Sequence, residues 1–118
     1  MDYLTDWAIN LEIASCCRDP DRRVIGQWQQ GQPARWFPGT VNRPDGTGPL
    51  SDNDAWELIA DLIEARHALK IVSLDKPPGS AAYVLLAQIP PDGRHLYAKI
   101  VLTKSGRVIG RSFHYSDY

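Results

Sequence analysis

The stretch HLYAKIVLTKSGRVIGRSFHY, residues 95–115, alternates apolar and polar side chains on both sides of the sequence KSGR. A period of two is typical of β-strands, and KSGR is a turn signal, so the stretch predicts an antiparallel hairpin. If the Ser-Gly pair forms a two-residue loop, Tyr97 lies opposite His114 and Lys99 lies opposite Ser112. A phenol, an imidazole, an ammonium and a hydroxyl group then meet on one face of the sheet.

The opposite face of the hairpin decides between two registers. In the two-residue-loop register it carries a row that is apolar except for Arg111: Leu96, Ala98, Ile100, Leu102, Ile109, Arg111, Phe113 and Tyr115. A three-residue loop with a bulge at Gly106 would instead place Tyr97 and His114 on opposite faces. We favour the first register because it matches apolar residues with apolar residues.

A helix and two further strands precede the hairpin. Ser51 is a good N-cap residue, aspartates follow it in the first turn, and an apolar stripe runs from Ala55 to Leu69. The segments LKIVSL (69–74) and AAYVLLAQI (81–89) resemble strands, and the turn signals KPPGS and PPDG follow them. This order predicts an α+β fold, with one main helix packed on a small antiparallel sheet of three to four strands.

The first 50 residues are predicted to form a loop-rich half. Apolar residues at helical spacing indicate a helix from Asp2 to about Cys17, and a segment rich in Gly and Pro follows. We expect the large aromatics of that segment to pack over the core rather than to stack on nucleobases; they are Trp28, Trp36 and Phe37. We expect the adjacent cysteines to be reduced and without a functional role.

Length and composition are those of one globular domain covering residues 1–118, divided into the loop-rich half (1–50) and the helix and sheet (51–118). The chain is 43% hydrophobic and 23% charged, which is ordinary for a folded protein. No apolar run approaches the roughly 20 residues of a membrane span, and acidic rather than basic residues open the sequence. We therefore expect a cytoplasmic protein that does not associate with membranes.

Charge is unevenly distributed although the net charge is only −1. Residues 51–75 hold two basic and six acidic residues, whereas residues 76–118 hold six basic and two acidic residues. The last third of the chain is therefore basic, which is compatible with contact to phosphate groups.

The hairpin residues suit cleavage of RNA without a metal. In that reaction the 2′-hydroxyl attacks the adjacent phosphate, while a base, an acid and a cation assist. His114 could give or take a proton, and Tyr97 could orient the 2′-hydroxyl or assist proton transfer. Lys70, Lys99 or Arg111 could hold phosphate. The strands offer no pair of carboxylates and no His/Cys spacing typical of a metal site, so we expect no metal and no cofactor.

The segments HALKIVSLD, LYAKIVL and SFH, within residues 55–116, together resemble the C-terminal half of the motility quorum-sensing regulator toxins. These are small bacterial messenger-RNA endonucleases, related in fold to RelE and barnase-like ribonucleases. The family has a lysine after the main helix, a YxK pair on the penultimate strand, and Ser-Phe followed by Lys or His on the last strand. The resemblance implies that the catalytic residues are Lys70, Tyr97, Lys99 and His114. The family's aromatic-Gln-Asp strand motif has no counterpart here, and Gln88 or Tyr83 are its only candidate substitutes.

The leading hypothesis is the toxin of a toxin–antitoxin system, an endoribonuclease whose partners are an RNA substrate and a cognate antitoxin protein. Besides the four catalytic residues, the predicted substrate-binding residues are Lys76, Arg111, Ser112 and Tyr115. One alternative is a non-catalytic interaction module of the inhibitor or immunity type, with the Trp-rich first half as its contact surface. Another is a nucleic-acid-binding module without chemistry.

Overall fold

The structure, a computed structural model, describes residues 3–4, 7–27, 34–73 and 81–116. Within these ranges it contains two α-helices, one short 3-10 helix and seven strands. The helices are α1 (Trp7–Arg18), the 3-10 turn Pro38–Thr40 and α2 (Asp52–Glu64). The strands are β1 (Tyr3–Leu4), β2 (Arg23–Ile25), β3 (Arg35–Trp36), β4 (Leu69–Ser73), β5 (Ala81–Ile89), β6 (Arg94–Leu102) and β7 (Val108–Tyr115).

All seven strands form one mixed sheet in the order β1-β4-β5-β6-β7-β2, with β3 also pairing with β7. The four long strands β4 to β7 are antiparallel, whereas β2 and β3 run parallel to β7. The predicted α+β architecture is confirmed, but the sheet is larger than the three to four strands expected. The additional strands are two or three residues long, too short to show a period of two in the sequence.

Helix α2 begins where the sequence predicts it. The Ser51 hydroxyl accepts a hydrogen bond from the Asp54 N–H, and the Asp54 carboxylate accepts one from the Ser51 N–H, each 3.1 Å long. This is a capping box, which satisfies two N–H groups that the helix leaves unpaired. The helix ends at Glu64, earlier than the apolar stripe suggests. The chain leaves it through Arg66, whose φ is 71°, and Leu69 belongs to β4.

We expect Asp54→Asn to remove stability in a pH-dependent manner. The Ser51 N–H and the Arg43 guanidinium lower the pKa of Asp54 from 3.8 to about 2. A carboxylate whose pKa is lowered on folding stabilises the protein at pH values above the pKa of the unfolded state. This stabilisation is lost as the pH falls through the pKa of the folded state. Urea midpoints should therefore differ between wild type and variant at pH 6 and converge by about pH 2. A difference that stays constant with pH would contradict this origin.

The helices cover one face of the sheet, and the core lies between them. Its largest fully buried members are Ile13, Ile59, Ile63, Leu69, Leu85, Ile89, Leu96, Ile100 and Phe113. Cys16 and Cys17 of α1 are free, fully buried thiols, and burial raises the pKa of both. The Cys16 thiol donates to the carbonyl oxygen of Gly106 over 3.3 Å. Both cysteines therefore act as small core residues, and Cys16 also attaches the β6–β7 turn to α1.

The acidic side of α2 is paired with arginine rather than only solvated. Arg18, at the end of α1, contacts the carboxylates of Glu57, Asp61 and Glu64, the latter two at 2.7 Å. Its hydrogen bonds lower the pKa of Glu64. Three of the five α2 carboxylates thus share one arginine, which offsets part of the negative charge of this helix.

The aromatics of the first half divide between core and surface. The Trp36 ring packs against Trp56, with ring centroids 4.7 Å apart, and against Phe113, at 5.4 Å, as expected for core cover. Phe37, predicted to do the same, is instead 48% exposed. Trp28 lies outside the described residues. Helix α1 begins at Trp7, later than predicted.

In the described part of the chain, neither helix combines the length and apolar character that crossing a membrane requires.

Candidate functional site

Strands β6 and β7 pair in the register that brings the candidate residues together. Tyr97 lies opposite His114, and Lys99 lies opposite Ser112. Alternation along β6 places Tyr97 and Lys99 on the same side, the face of the sheet turned away from the helices, which we call the outer face. The long Lys99 side chain is also within diagonal reach of His114.

Toward the turn, the same hairpin follows the other register. Leu102 pairs with Val108 and Ile100 pairs with Gly110, one residue out of step with the pairs above. The Thr103 N–H donates to the Arg107 carbonyl oxygen over 2.8 Å. This hydrogen bond closes a loop of three residues, 104–106, rather than the predicted two. Each of the two registers considered from the sequence therefore describes one half of the hairpin.

A β-bulge at Arg111 joins the two halves, where Lys99 and Ile100 face Ser112 and Gly110. The expected core row is corrected accordingly: Val108 and Gly110 take the inward positions that the two-residue-loop register gave to Ile109 and Arg111. A bulge inserts one residue into a strand, so a charged side chain that would have entered the core leaves it. The Arg111 side chain lies beside Gly26, where a β carbon would fall 2.6 Å from Nη1.

Two rows of side chains cross the outer face. The first, called the cationic row, consists of Lys70, Val84, Lys99, Ser112 and Arg35, on β4, β5, β6, β7 and β3. The second, called the aromatic row, consists of Leu86, Tyr97 and His114, with Phe37 following β3 beside His114. Neighbouring strands are about 4.8 Å apart, so Lys70 and Arg35 begin roughly 10 Å to either side of Lys99.

His114 is held in a defined orientation. Its Nδ1 lies 2.8 Å from the carbonyl oxygen of Tyr115. A carbonyl can only accept, so Nδ1 donates and carries the proton, which leaves Nε2 as the nitrogen that exchanges a proton with a substrate. The Tyr97 ring stacks on the imidazole with centroids 5.4 Å apart and an interplanar angle of 24°. Hydrogen bond and stacking together orient the ring.

The outer face lies in a strongly asymmetric charge distribution. Within the described chain, the seven strands contain no Asp or Glu, whereas α2 alone contains five. The α2 carboxylates lie in the helical layer on the other side of the sheet. The cationic row therefore has no acidic neighbour on its own strands, and the outer face attracts anions.

The structure brings six of the eight predicted site residues to the outer face: Lys70, Tyr97, Lys99, Arg111, Ser112 and His114. Of these, Ser112 is only 8% exposed, so its hydroxyl lies beneath the neighbouring side chains. Tyr115 lies on the core face and is 7% exposed. Its hydroxyl accepts from the Asn42 N–H at 3.0 Å, and the Arg94 guanidinium lies 3.8 Å from its ring centroid. This residue connects the sheet to the loops, and we leave it out of the site. Lys76 lies outside the described residues.

The two substitutes considered for the missing family motif lie on opposite faces of β5. Gln88 is exposed on the outer face, opposite His95, whereas Tyr83 packs against the core.

Sequence reasoning did not identify Arg35 and Phe37 as residues of the site. They flank a core residue, Trp36, and this alternation was the available signal. However, the pairing of β3 with β7 joins residues more than 70 positions apart, which no local pattern reveals.

Among the described residues, no group of three or more His, Cys, Asp or Glu side chains is placed to hold a metal ion. Comparison with protein-family models, curated proteins and solved structures finds no match to this chain.

Proposed function

We propose that this protein is an endoribonuclease that cleaves RNA by attack of the 2′-hydroxyl, without a metal. The observation that carries the proposal is the His114–Tyr97 pair, oriented by stacking and by the Nδ1 hydrogen bond, beside Lys99 on a face whose strands lack acidic residues. An orientable imidazole, a phenol and a cation are the groups that phosphoryl transfer of this kind needs.

The proposed reaction includes two proton transfers, one to His114 and one from Tyr97. His114 Nε2 accepts the proton of the 2′-hydroxyl as the 2′-oxygen bonds to phosphorus. The bond from phosphorus to the 5′-oxygen breaks, and the Tyr97 hydroxyl donates a proton to that leaving oxygen. Lys99 stabilises the negative charge that develops on the phosphoryl oxygens. Exchange with water then returns a proton to Tyr97 and removes one from His114.

Lys70 and Arg111 support this assignment as phosphate-binding cations. Lys70 is exposed and lies in the same row as Lys99, two strands away. The bulge turns the Arg111 side chain to the outer face, the same face as Ser112. Backbone phosphates on either side of the cleaved bond can contact these groups, which positions the substrate without reading its sequence.

The direct test is incubation of the purified protein with a mixed-sequence RNA in excess EDTA, with mapping of the product ends. We expect cleavage that leaves 2′,3′-cyclic phosphate ends. An oligonucleotide with a single 2′-deoxy substitution at a mapped site should resist cleavage there, because the nucleophile is missing. Cleavage at the deoxy position, or none in the parent RNA, would refute the mechanism.

On the resemblance to the motility quorum-sensing regulator toxins, we further propose that the protein is a toxin controlled by a cognate antitoxin protein. The residues that carry the resemblance and are described here, Lys70, Tyr97, Lys99 and His114, lie on one face of one sheet. Their proximity is what a shared active site would require.

A nucleic-acid-binding module without chemistry is the second candidate, and the outer face favours it independently of His114. Aromatic side chains beside a row of cations are the usual means of binding single-stranded nucleic acid. Salt-sensitive binding that leaves the RNA intact would identify this function. The interaction-module alternative has less support, because Trp36 packs into the core rather than onto a contact surface.

A further inference from the structure

Phe37, directly after the short strand β3, is held at the rim of the outer face by hydrogen bonds to its backbone. The Phe37 N–H donates to the carbonyl oxygen of Phe113 over 2.8 Å, and the Thr40 hydroxyl donates to the Phe37 carbonyl oxygen over 2.7 Å. Trp36 before it and Pro38 after it are packed inward. Both peptide groups of Phe37 are thus restrained.

The Phe37 side chain is nevertheless 48% exposed, in contrast to the packed ring of Trp36. Alternation along β3 places Phe37 on the outer face with Arg35, which pairs with Ser112. An exposed aromatic ring on a hydrogen-bonded backbone, next to an exposed arginine, is a surface that can bind a ligand with a planar ring and a negative charge without rearrangement of the backbone.

We infer that Phe37 and Arg35 form a subsite for single-stranded RNA, in which the Phe37 ring stacks on a nucleobase and Arg35 binds the adjacent phosphate. The location of this subsite next to the cleavage site rests on the proposed function, whereas RNA binding itself does not. The subsite lies at the end of the aromatic row, one position beyond His114. A nucleotide flanking the cleaved bond would occupy it.

Charge and shape favour RNA in single strands over an acidic peptide or a duplex. Only an unpaired base exposes a face on which Phe37 can stack, and stacking accepts every base. The cationic row runs across several strands at intervals of roughly 10 Å, suited to an extended chain of phosphates. Within the described chain, these strands have no carboxylates that would repel it.

The test measures binding of a 5′-fluorescein-labelled seven-nucleotide RNA by anisotropy, with every variant built on His114→Ala to prevent cleavage. Loss of one base stack is expected to weaken binding by about 5- to 150-fold in Phe37→Ala. Phe37→Trp should retain binding, since it keeps an aromatic face. Leu11→Ala is the matched control, because Leu11 is a 43% exposed apolar residue on α1, and it should bind as the parent does.

The role of Arg35 is tested by the salt dependence of the same binding. Arg35→Gln should reduce the slope of log K against log salt concentration by about 0.7, the value for one phosphate contact on a single strand. Lys104→Gln, in the exposed β6–β7 turn, should leave the slope unchanged. Equal slopes in all three proteins would overturn the assignment of Arg35.

The outcomes separate this inference from the proposed activity. If the wild type cleaves RNA but Phe37→Ala binds as tightly as its parent, the subsite is wrong and the ribonuclease stands. If Phe37→Ala loses binding but the wild type leaves RNA intact, the subsite stands and the ribonuclease is wrong. Equal affinity for a duplex of the same sequence, or for a poly-glutamate peptide, would overturn the subsite.

Discussion

His114→Ala is expected to slow cleavage of single-stranded RNA by about 10²- to 10⁴-fold, the usual contribution of a positioned acid or base. Because Nδ1 donates to a backbone carbonyl, the variant removes the only His114 nitrogen available to the substrate. The side chain lies on the outer face and not in the core, so the thermal unfolding midpoint should change little. Initial rates in EDTA and a thermal melt test both statements.

His95→Ala is the matched control. His95 lies on β6, two residues from Tyr97, on the same face and with similar partial exposure. It has no proposed role, and its rate should equal that of the wild type. An equal loss of cleavage rate in His114→Ala and His95→Ala would show that these imidazoles contribute to substrate binding rather than to proton transfer. An unchanged cleavage rate in His114→Ala would remove His114 from the mechanism.

A substrate with sulfur in place of the bridging 5′-oxygen separates the roles of Tyr97 and His114. A thiolate is a much better leaving group than an alkoxide and does not need a proton. Tyr97→Phe should therefore cleave the normal RNA slowly and the sulfur-containing RNA at the wild-type rate. His114→Ala should remain slow on both, because the 2′-hydroxyl still needs a base. Rescue of both variants, or of neither, would contradict this division of roles.

The elements predicted best from the sequence are those with a long, regular pattern. AAYVLLAQI is β5 with its predicted bounds, and Ser51 caps α2 as expected. In each case, the local sequence is enough for the prediction: an apolar run bounded by turn signals for the strand, and a side-chain oxygen at the N-cap for the helix. The predicted pairing of Tyr97 with His114 is present, but not for the predicted reason: the loop has three residues rather than two, and the bulge at Arg111 compensates for the extra residue.

Features that depend on distant contacts could not be predicted. Trp36 and Phe37 are adjacent and similar in character, yet one packs against the core and the other lies on the surface, because β3 pairs with a strand far along the chain. The bulge at Arg111 is a second example. The bulge places Gly110 under the Trp36 ring, and that contact between distant residues has no local sequence signature.

Gly110→Ala should destabilise the protein by about 1–3 kcal/mol, the usual cost of overpacking a core. A β carbon at this position would fall 2.5 Å from one carbon of the Trp36 ring and 2.9 Å from two others. That ring is confined by Trp56 and Phe113. Among the described residues, its buried Nε1 has no hydrogen-bond partner, so packing alone holds it in place. Urea unfolding gives the free energy directly.

Gly39→Ala is the control for replacing a glycine as such, because a β carbon there would meet nothing within 4 Å. The free energy of unfolding of Gly39→Ala should stay within about 0.5 kcal/mol of the wild-type value.

A double-mutant cycle with Trp36→Leu then tests the cause. Trp36→Leu alone is destabilising because it leaves space beside Trp56, but that space accommodates the new methyl group. In the Trp36→Leu background, Gly110→Ala should therefore leave the free energy of unfolding unchanged. The coupling energy between the two positions is then about 1–3 kcal/mol. Additive effects would mean that Trp36 does not form the contact. Because the ring belongs to β3, Gly110→Ala should also displace Arg35 and Phe37, and so weaken RNA binding although it touches neither residue.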